Sequence, residues 1–169
     1  MEDVLSINWL ALLSAAVLPL LIGFIWYHEK LMGAKWMKEA AMTPEKIQTG
    51  NMGLIFGVTF VFSFLLAFGL NFTIIHQWGL FGTLLGRPDM SPDAEEFKIV
   101  RDLMSKYGTN FRSFGHGAMH GSMYGVLFAL PILGINALFE RKSWTYILIH
   151  LGFWVITLGI MSGIISVWI

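Results

Sequence analysis

The 169-residue sequence contains no cysteine and little charge, and both features limit what the protein can be. Without thiols, disulfides, thiolate metal ligands and cysteine nucleophiles are excluded. Charged residues make up 13% of the chain, against about 25% in a typical soluble domain, whereas hydrophobic residues make up 56%. Acidic and basic residues balance at 11 each, so no net charge favours a nucleic-acid partner. Because the apolar residues form long runs, the composition predicts a single-domain, all-α, polytopic membrane protein.

Catalytic signatures are missing as well. The sequence has no HExxH, GxSxG or DxD motif, and no aspartate or glutamate lies within its long apolar runs. An enzyme would need a nucleophile, or a paired acid and base, inside a pocket. The sequence therefore argues against enzymatic activity, and against intramembrane hydrolysis in particular.

Four apolar segments are long enough to cross a bilayer, because about 20 helical residues span its ~30 Å hydrocarbon core. They are predicted at about 7–27, 51–75, 113–139 and 144–168. In the loop after the second segment, Ser91-Pro92-Asp93 is a typical helix start, and it precedes an amphipathic pattern that ends at Gly108. The sequence thus predicts a four-transmembrane-helix bundle with an extra amphipathic helix, at about 92–107, in the second loop.

Basic residues predict the orientation of the bundle. The short first loop carries four lysines, the short third loop carries Arg141 and Lys142, and neither terminal segment has a basic residue. Short loops rich in lysine and arginine stay in the cytoplasm. We therefore expect the first and third loops on the cytoplasmic side, and both termini and the second loop outside.

Small residues recur every four positions along the third segment. They are Ser113, Gly117, Gly121, Gly125 and Ala129. Steps of four place residues in one stripe of a helix, and small residues let helix backbones approach closely in lipid. The pattern predicts a helix-packing face whose partner lies either in the same chain or in a second copy.

A first polar cluster is predicted on the outer side of the bundle. His116 and His120 are four residues apart and share one helix face, which Tyr124 extends by a turn. At ~1.5 Å per residue, Asn71 and His120 both lie roughly 10–12 Å from mid-membrane, and His76 and His116 lie roughly 18 Å from it. Three imidazoles can bind a divalent metal. The alternative is that neutral imidazoles form hydrogen bonds between helices.

A second polar cluster is predicted on the inner side. Asn136 and His150 lie roughly 9–12 Å from mid-membrane, and His28 and Glu140 lie roughly 16–18 Å from it, with Glu29 adjacent to His28. A histidine beside a carboxylate has a raised pKa and can relay protons near neutral pH. We favour structural hydrogen bonding for this set and retain proton or ion handling as the alternative.

Two stretches resemble a known family. GFIWYHEKLMGAKWMK (23–38) is similar to its first-loop signature, and 116–164 is similar to its C-terminal half, most specifically at NALFERKSW (136–144). The family is the domain-of-unknown-function family 1761, which comprises small bacterial membrane proteins with four predicted spans. The resemblance implies four spans and a bacterial inner membrane. It implies no activity and no catalytic residues.

We interpret the chain as an integral membrane protein that acts as a self-associating or accessory subunit. It would pack through its glycine-rich faces into a homo-oligomer or a larger membrane complex, in contact with the lipid bilayer and without nucleic acid. This interpretation predicts no cofactor. The alternative is a channel or carrier for protons, ions or metal, with a divalent metal held by His76, His116 and His120.

Overall fold

Helices dominate the computed structural model, which describes residues 6–83 and 94–169 and has no strand within them. Four of the helices are long and apolar enough to cross a membrane, which confirms the predicted fold class. The helices are α1 (Trp9–Trp26), α2 (Ala34–Glu39), α3 (Pro44–Gln48), α4 (Met52–Ile74), α5 (Gln77–Gly82), α6 (Glu95–Tyr107), α7 (Phe114–Phe139) and α8 (Trp144–Val167).

Each membrane-length helix begins immediately after a polar residue whose side chain caps it. The side-chain oxygen of Asn8 accepts from the amide of Ala11 at 3.0 Å, and that of Ser143 accepts from the amide of Tyr146 at 3.0 Å. Asn51 and Ser113 cap α4 and α7 in the same way. Such a cap satisfies one of the amides that the first helical turn leaves without a partner.

Helix α8 is the central element of the bundle. Half of its most apolar window is buried inside the protein, against 11% for α7. The main core joins α1, α4 and α8, with α7 packed along α8. The buried residues of this core are Leu12, Ala15, Ala67, Leu70, Ile74, Ile75, Leu158, Met161 and Ile165.

The glycine stripe of α7 packs against α8 of the same chain. A Cβ atom at Gly121 would overlap the carbonyl oxygen of Leu158, and one at Gly125 would lie 2.7 Å from the Cα of Val155. Gly117 has the same relation to the backbone of α8. The face that the sequence offers for self-association is therefore occupied within one copy. Of the two partners that the sequence left open for this face, the structure shows the one in the same chain.

The other two positions of the stripe differ from the three glycines. Ser113 is the N-cap of α7, and Ala129 is the last residue of a π-helical turn, Gly125–Ala129, in the middle of the helix. Pro131, which has no backbone N–H, follows this turn by two residues. The close contact with α8 is thus made by the first half of α7.

The first loop folds back towards the start of α8. It opens with a π-helical turn, Glu29–Gly33, in which a side chain at Gly33 would overlap the carbonyl oxygen of Tyr27. Helix α2 follows, and the hydroxyl of Ser143 donates a hydrogen bond to the carboxylate of Glu39 at its end. The loop is thereby attached to the cap of α8.

The second loop contains the expected amphipathic helix as α6. Val100 and Met104 are buried and pack against Leu80 and Phe81, which belong to α5. The apolar face of α6 therefore covers the short helix that follows α4. The predicted start at Ser91-Pro92-Asp93 lies outside the described residues.

Candidate metal site

Three histidines meet at the end of the bundle where α4 ends and α7 begins. The Nε2 atoms of His76 and His116 lie 3.0 Å apart, at hydrogen-bonding distance. One ring nitrogen from each of His76, His116 and His120 lies within 4.8 Å of the other two. His76 is exposed, and the other two are partly buried. We call these three residues the histidine triad.

Local backbone structure explains why these side chains converge. His116 and His120 stand on consecutive turns of α7, and their ring centroids are 4.5 Å apart. His76 comes from a break between helices, because Ile75 adopts an extended conformation at the end of α4. The ring of His76 thus reaches both histidines of α7, at 5.2 and 5.1 Å between centroids.

Gln77, next to His76, links this break to the loop that precedes α7. Its side chain is buried, and Nε2 donates to the carbonyl oxygen of Asn110 at 2.9 Å and to that of Tyr107 at 3.4 Å. Because a buried amide is costly without partners, these bonds hold the two segments together. Sequence reasoning missed Gln77, since only its proximity to His76 singles it out.

Arg112 fixes the same loop from the other side. Its Nε donates to the carbonyl oxygen of Ser166 at 2.7 Å, and its Nη2 donates to that of Trp168 at 3.1 Å. The guanidinium thus caps the C-terminal end of α8, where carbonyl groups lack helical partners. Burial lowers the pKa of Arg112 from its ordinary value, but a guanidinium stays charged at neutral pH.

Phe111 packs its ring against the triad in a strained backbone conformation. Its φ is 64°, which is rare for a bulky residue, and its ring centroid lies 5.0 Å from that of His116 and 6.2 Å from that of His76. The other non-glycine residues with positive φ, Ala41 and Arg141, lie just after helices α2 and α7 in the described chain. A left-handed residue costs about 1–2 kcal/mol, and such strain is concentrated at functional sites.

Asn71 and Tyr124, the other two predicted members of the outer cluster, do not join the triad. Asn71 is buried, and its Nδ2 has no hydrogen-bond partner. The ring of Tyr124 stacks on Phe128 at 4.9 Å and packs against the main core. Within residues 6–83 and 94–169, neither side chain has a hydrogen bond or ring contact with the triad. The structure therefore reduces the outer cluster to three histidines.

The triad is suited to a transition metal. Neutral imidazole is a common ligand for zinc, copper, iron and nickel. At metal–nitrogen distances of ~2.0–2.1 Å, ligand nitrogens in a tetrahedral complex lie roughly 3.3 Å apart. The 3.0 Å separation of His76 and His116 is close to this value, and the ring nitrogen of His120 lies within 4.8 Å of those of the other two histidines. Three protein ligands leave a fourth position open.

The predicted inner cluster is not assembled in the same way. His150 Nδ1 is hydrogen-bonded to the hydroxyl of Tyr27 at 2.9 Å, and its buried Nε2 has no partner. His28 accepts through Nδ1 from the amide of Lys30 at 3.2 Å. In the described part of the chain, no hydrogen bond, ion pair or ring contact joins two members of this set. Its other members, Glu29, Asn136 and Glu140, are exposed.

The all-helical fold, with four helices of membrane-spanning length and composition, defines a multi-pass membrane protein. A family model described as "Protein of unknown function (DUF1761)" matches residues 10–166, so the chain belongs to this family. This match confirms the resemblance found in the first loop and the C-terminal half. No curated protein and no solved structure matches the chain. Its function must therefore be argued from the site itself.

Proposed function

We propose that this membrane protein binds a transition-metal ion through His76, His116 and His120. The observation that carries the proposal is the convergence of three ring nitrogens to within 4.8 Å of one another. These nitrogens come from two segments 40 residues apart, so helical periodicity alone does not account for their meeting. A site of three imidazoles has the ligand number and chemistry of a metal centre with an open position.

Hydrogen bonding between the imidazoles explains the arrangement less completely. The Nε2 atoms of His76 and His116 form a hydrogen bond with each other. His120 makes no hydrogen bond within the described residues. An ionisable side chain within a membrane segment is costly and is a functional hypothesis by default. Metal ligation would give His120 the partner that it lacks.

We favour metal binding over transport across the bilayer. The middle of α7, Leu127–Leu133, is apolar and offers no ligand that would pass an ion onward. A role as a subunit of a larger membrane complex is compatible with the site. The subunit role has weaker support than metal binding, because the glycine stripe packs against α8 of the same chain.

The metal-binding test uses protein stripped with a chelator in mild detergent and then titrated with Zn²⁺ or Co²⁺. We expect about one ion per chain, and Co²⁺ should give the absorption of a tetrahedral, nitrogen-rich site. His120→Gln and His76→Gln should lose this binding. His28→Gln is the matched control, because His28 caps its own loop outside the triad.

Two results would refute the metal-binding proposal. One is wild-type protein that binds neither ion in excess. The other is equal loss of binding in the His28 and His120 variants. Thermal unfolding of each variant without metal separates a lost ligand from a lost fold.

We also infer that the triad faces the outside of a bacterial inner membrane. The basic first and third loops lie at the opposite end of the bundle, which supports this orientation. Because the chain has no native cysteine, single cysteines report the sides directly. In intact cells an impermeant thiol reagent should label Lys106→Cys and spare Lys38→Cys, and the reverse pattern would overturn the inferred orientation.

A further inference from the structure

Two methionines occupy the same face of α7 as the triad histidines. Taking His116 as zero and ~100° per residue, Met119 lies at about −60°, Met123 at about −20° and His120 at about +40°. Both methionines are exposed, at 52% and 47%, unlike Met104 and Met161, which are buried in cores. Packing within the chain therefore does not account for them.

The spacing puts each methionine one helical turn after a histidine of the triad. Met119 is three residues after His116, Met123 is three residues after His120, and residues three or four apart on a helix are neighbours. Methionine is unbranched and flexible, so its sulfur adapts its position to a nearby ion. Both methionines are therefore candidates to supply a soft ligand beside the three imidazoles.

The charge around the triad disfavours a divalent ion. Among residues 6–83 and 94–169, the group of potential ligands contains three histidines and no carboxylate, and the four spans carry no aspartate or glutamate. The free energy needed to move an ion from water into a low-dielectric region rises with the square of its charge. A monovalent ion is therefore easier to hold in a ligand set that lacks a counter-charge.

We propose that the natural ion of this site is monovalent copper, held by the histidine triad and by one thioether, from Met119 or Met123, in the fourth position. Thioether ligands select Cu(I), whereas Zn²⁺ is ligated by imidazole, thiolate and carboxylate. This inference rests on the proposed three-histidine site and names the ion that it takes. The thioether adds a soft ligand to a site that three imidazoles alone would leave open to several metals.

The test compares Cu(I) and Zn²⁺ affinities of the full-length protein in detergent. Cu(I) is kept reduced without oxygen, and its affinity is measured by competition with a chromogenic Cu(I) chelator. The test variant is Met119→Leu/Met123→Leu, which removes both sulfurs and nearly conserves volume. Met52→Leu is the matched control, since Met52 is an exposed methionine at the opposite end of the bundle.

We expect the double variant to lose about tenfold or more in Cu(I) affinity, a typical effect of losing a supporting residue at a metal site. Its Zn²⁺ affinity and its unfolding temperature should match those of the Met52→Leu control. X-ray absorption of Cu(I)-loaded wild-type protein should show sulfur as well as nitrogen ligands.

The outcomes separate this inference from the proposed function. If the triad variants lose both metals and the double methionine variant loses neither, the three-histidine site stands and the copper inference fails. A double variant that loses Cu(I) and Zn²⁺ equally also overturns the inference, because the effect is then not specific to sulfur. If the wild-type protein binds neither metal, both proposals fail.

Discussion

Gly121→Ala should destabilise the contact between α7 and α8. The added Cβ would overlap the carbonyl oxygen of Leu158 and lie 2.5 Å from Ser162 Oγ. A backbone carbonyl within a helix has no rotamer by which to move aside, so the two helices must separate. Overpacking of this kind costs about 1–3 kcal/mol. At roughly 2–4 °C per kcal/mol for a chain of this size, the unfolding temperature should fall by about 2–12 °C.

Gly134→Ala is the matched control for this prediction. Gly134 also lies on α7, but a Cβ there meets no atom within 4 Å. Both substitutions restrict the unfolded chain equally and raise helix propensity by about 0.5–1 kcal/mol, so their difference isolates the steric effect. An unfolding temperature for Gly121→Ala equal to or above that of Gly134→Ala would refute the packing described here.

Protein concentration adds a second readout to the Gly121→Ala experiment. Because the contact lies within one chain, the difference in unfolding temperature should not change with protein concentration. A contact between copies would make the unfolding temperature depend on concentration through mass action. A strong dependence on protein concentration would instead indicate that the stripe packs against a second copy, which is the other partner that the sequence left open.

Two further predictions concern long-range hydrogen bonds. Tyr27→Phe should destabilise the protein by about 1–3 kcal/mol, because it leaves half-buried His150 without its only hydrogen-bond partner in the described structure. Tyr107→Phe should have little effect. Thermal unfolding of both variants tests this, and equal unfolding temperatures would contradict it. Arg112→Gln should speed amide hydrogen exchange in the last turn of α8, because the carbonyl of Ser166 loses a charged donor. Unchanged exchange there would show that the guanidinium does not cap the helix.

The sequence was informative about features that depend on local pattern. Hydropathy and length predicted four membrane-length helices, and the spacing of Ser91 to Gly108 predicted an amphipathic helix that the structure describes from Glu95 onward. The shared face of His116 and His120 followed from helical periodicity. These features need no knowledge of the neighbouring helices, because they follow from the geometry of a single helix in lipid.

The candidate site depends on helix rotation, which the pattern of a single helix does not determine. Counting residues along a span estimated the depth of each polar side chain, but it did not estimate how far the helix is rotated about its own axis. Asn71 and His120 were assigned similar depths, yet Asn71 is buried in the bundle and, among the described residues, has no hydrogen bond with the histidines. Depth without rotation therefore placed two residues in one cluster that are not hydrogen-bonded to each other.

Residues far apart in sequence were placed together only by tertiary structure. His76 meets His116 across 40 positions, Tyr27 meets His150 across 123, and Arg112 reaches the end of α8 across 54. The sequence by itself determined four membrane-length helices and a helix face that carries two histidines. The packing of α7 on α8 and the break after α4 decided that a third histidine completes the set. Local spacing determines a helix, whereas a site built from two segments depends on how their backbones pack.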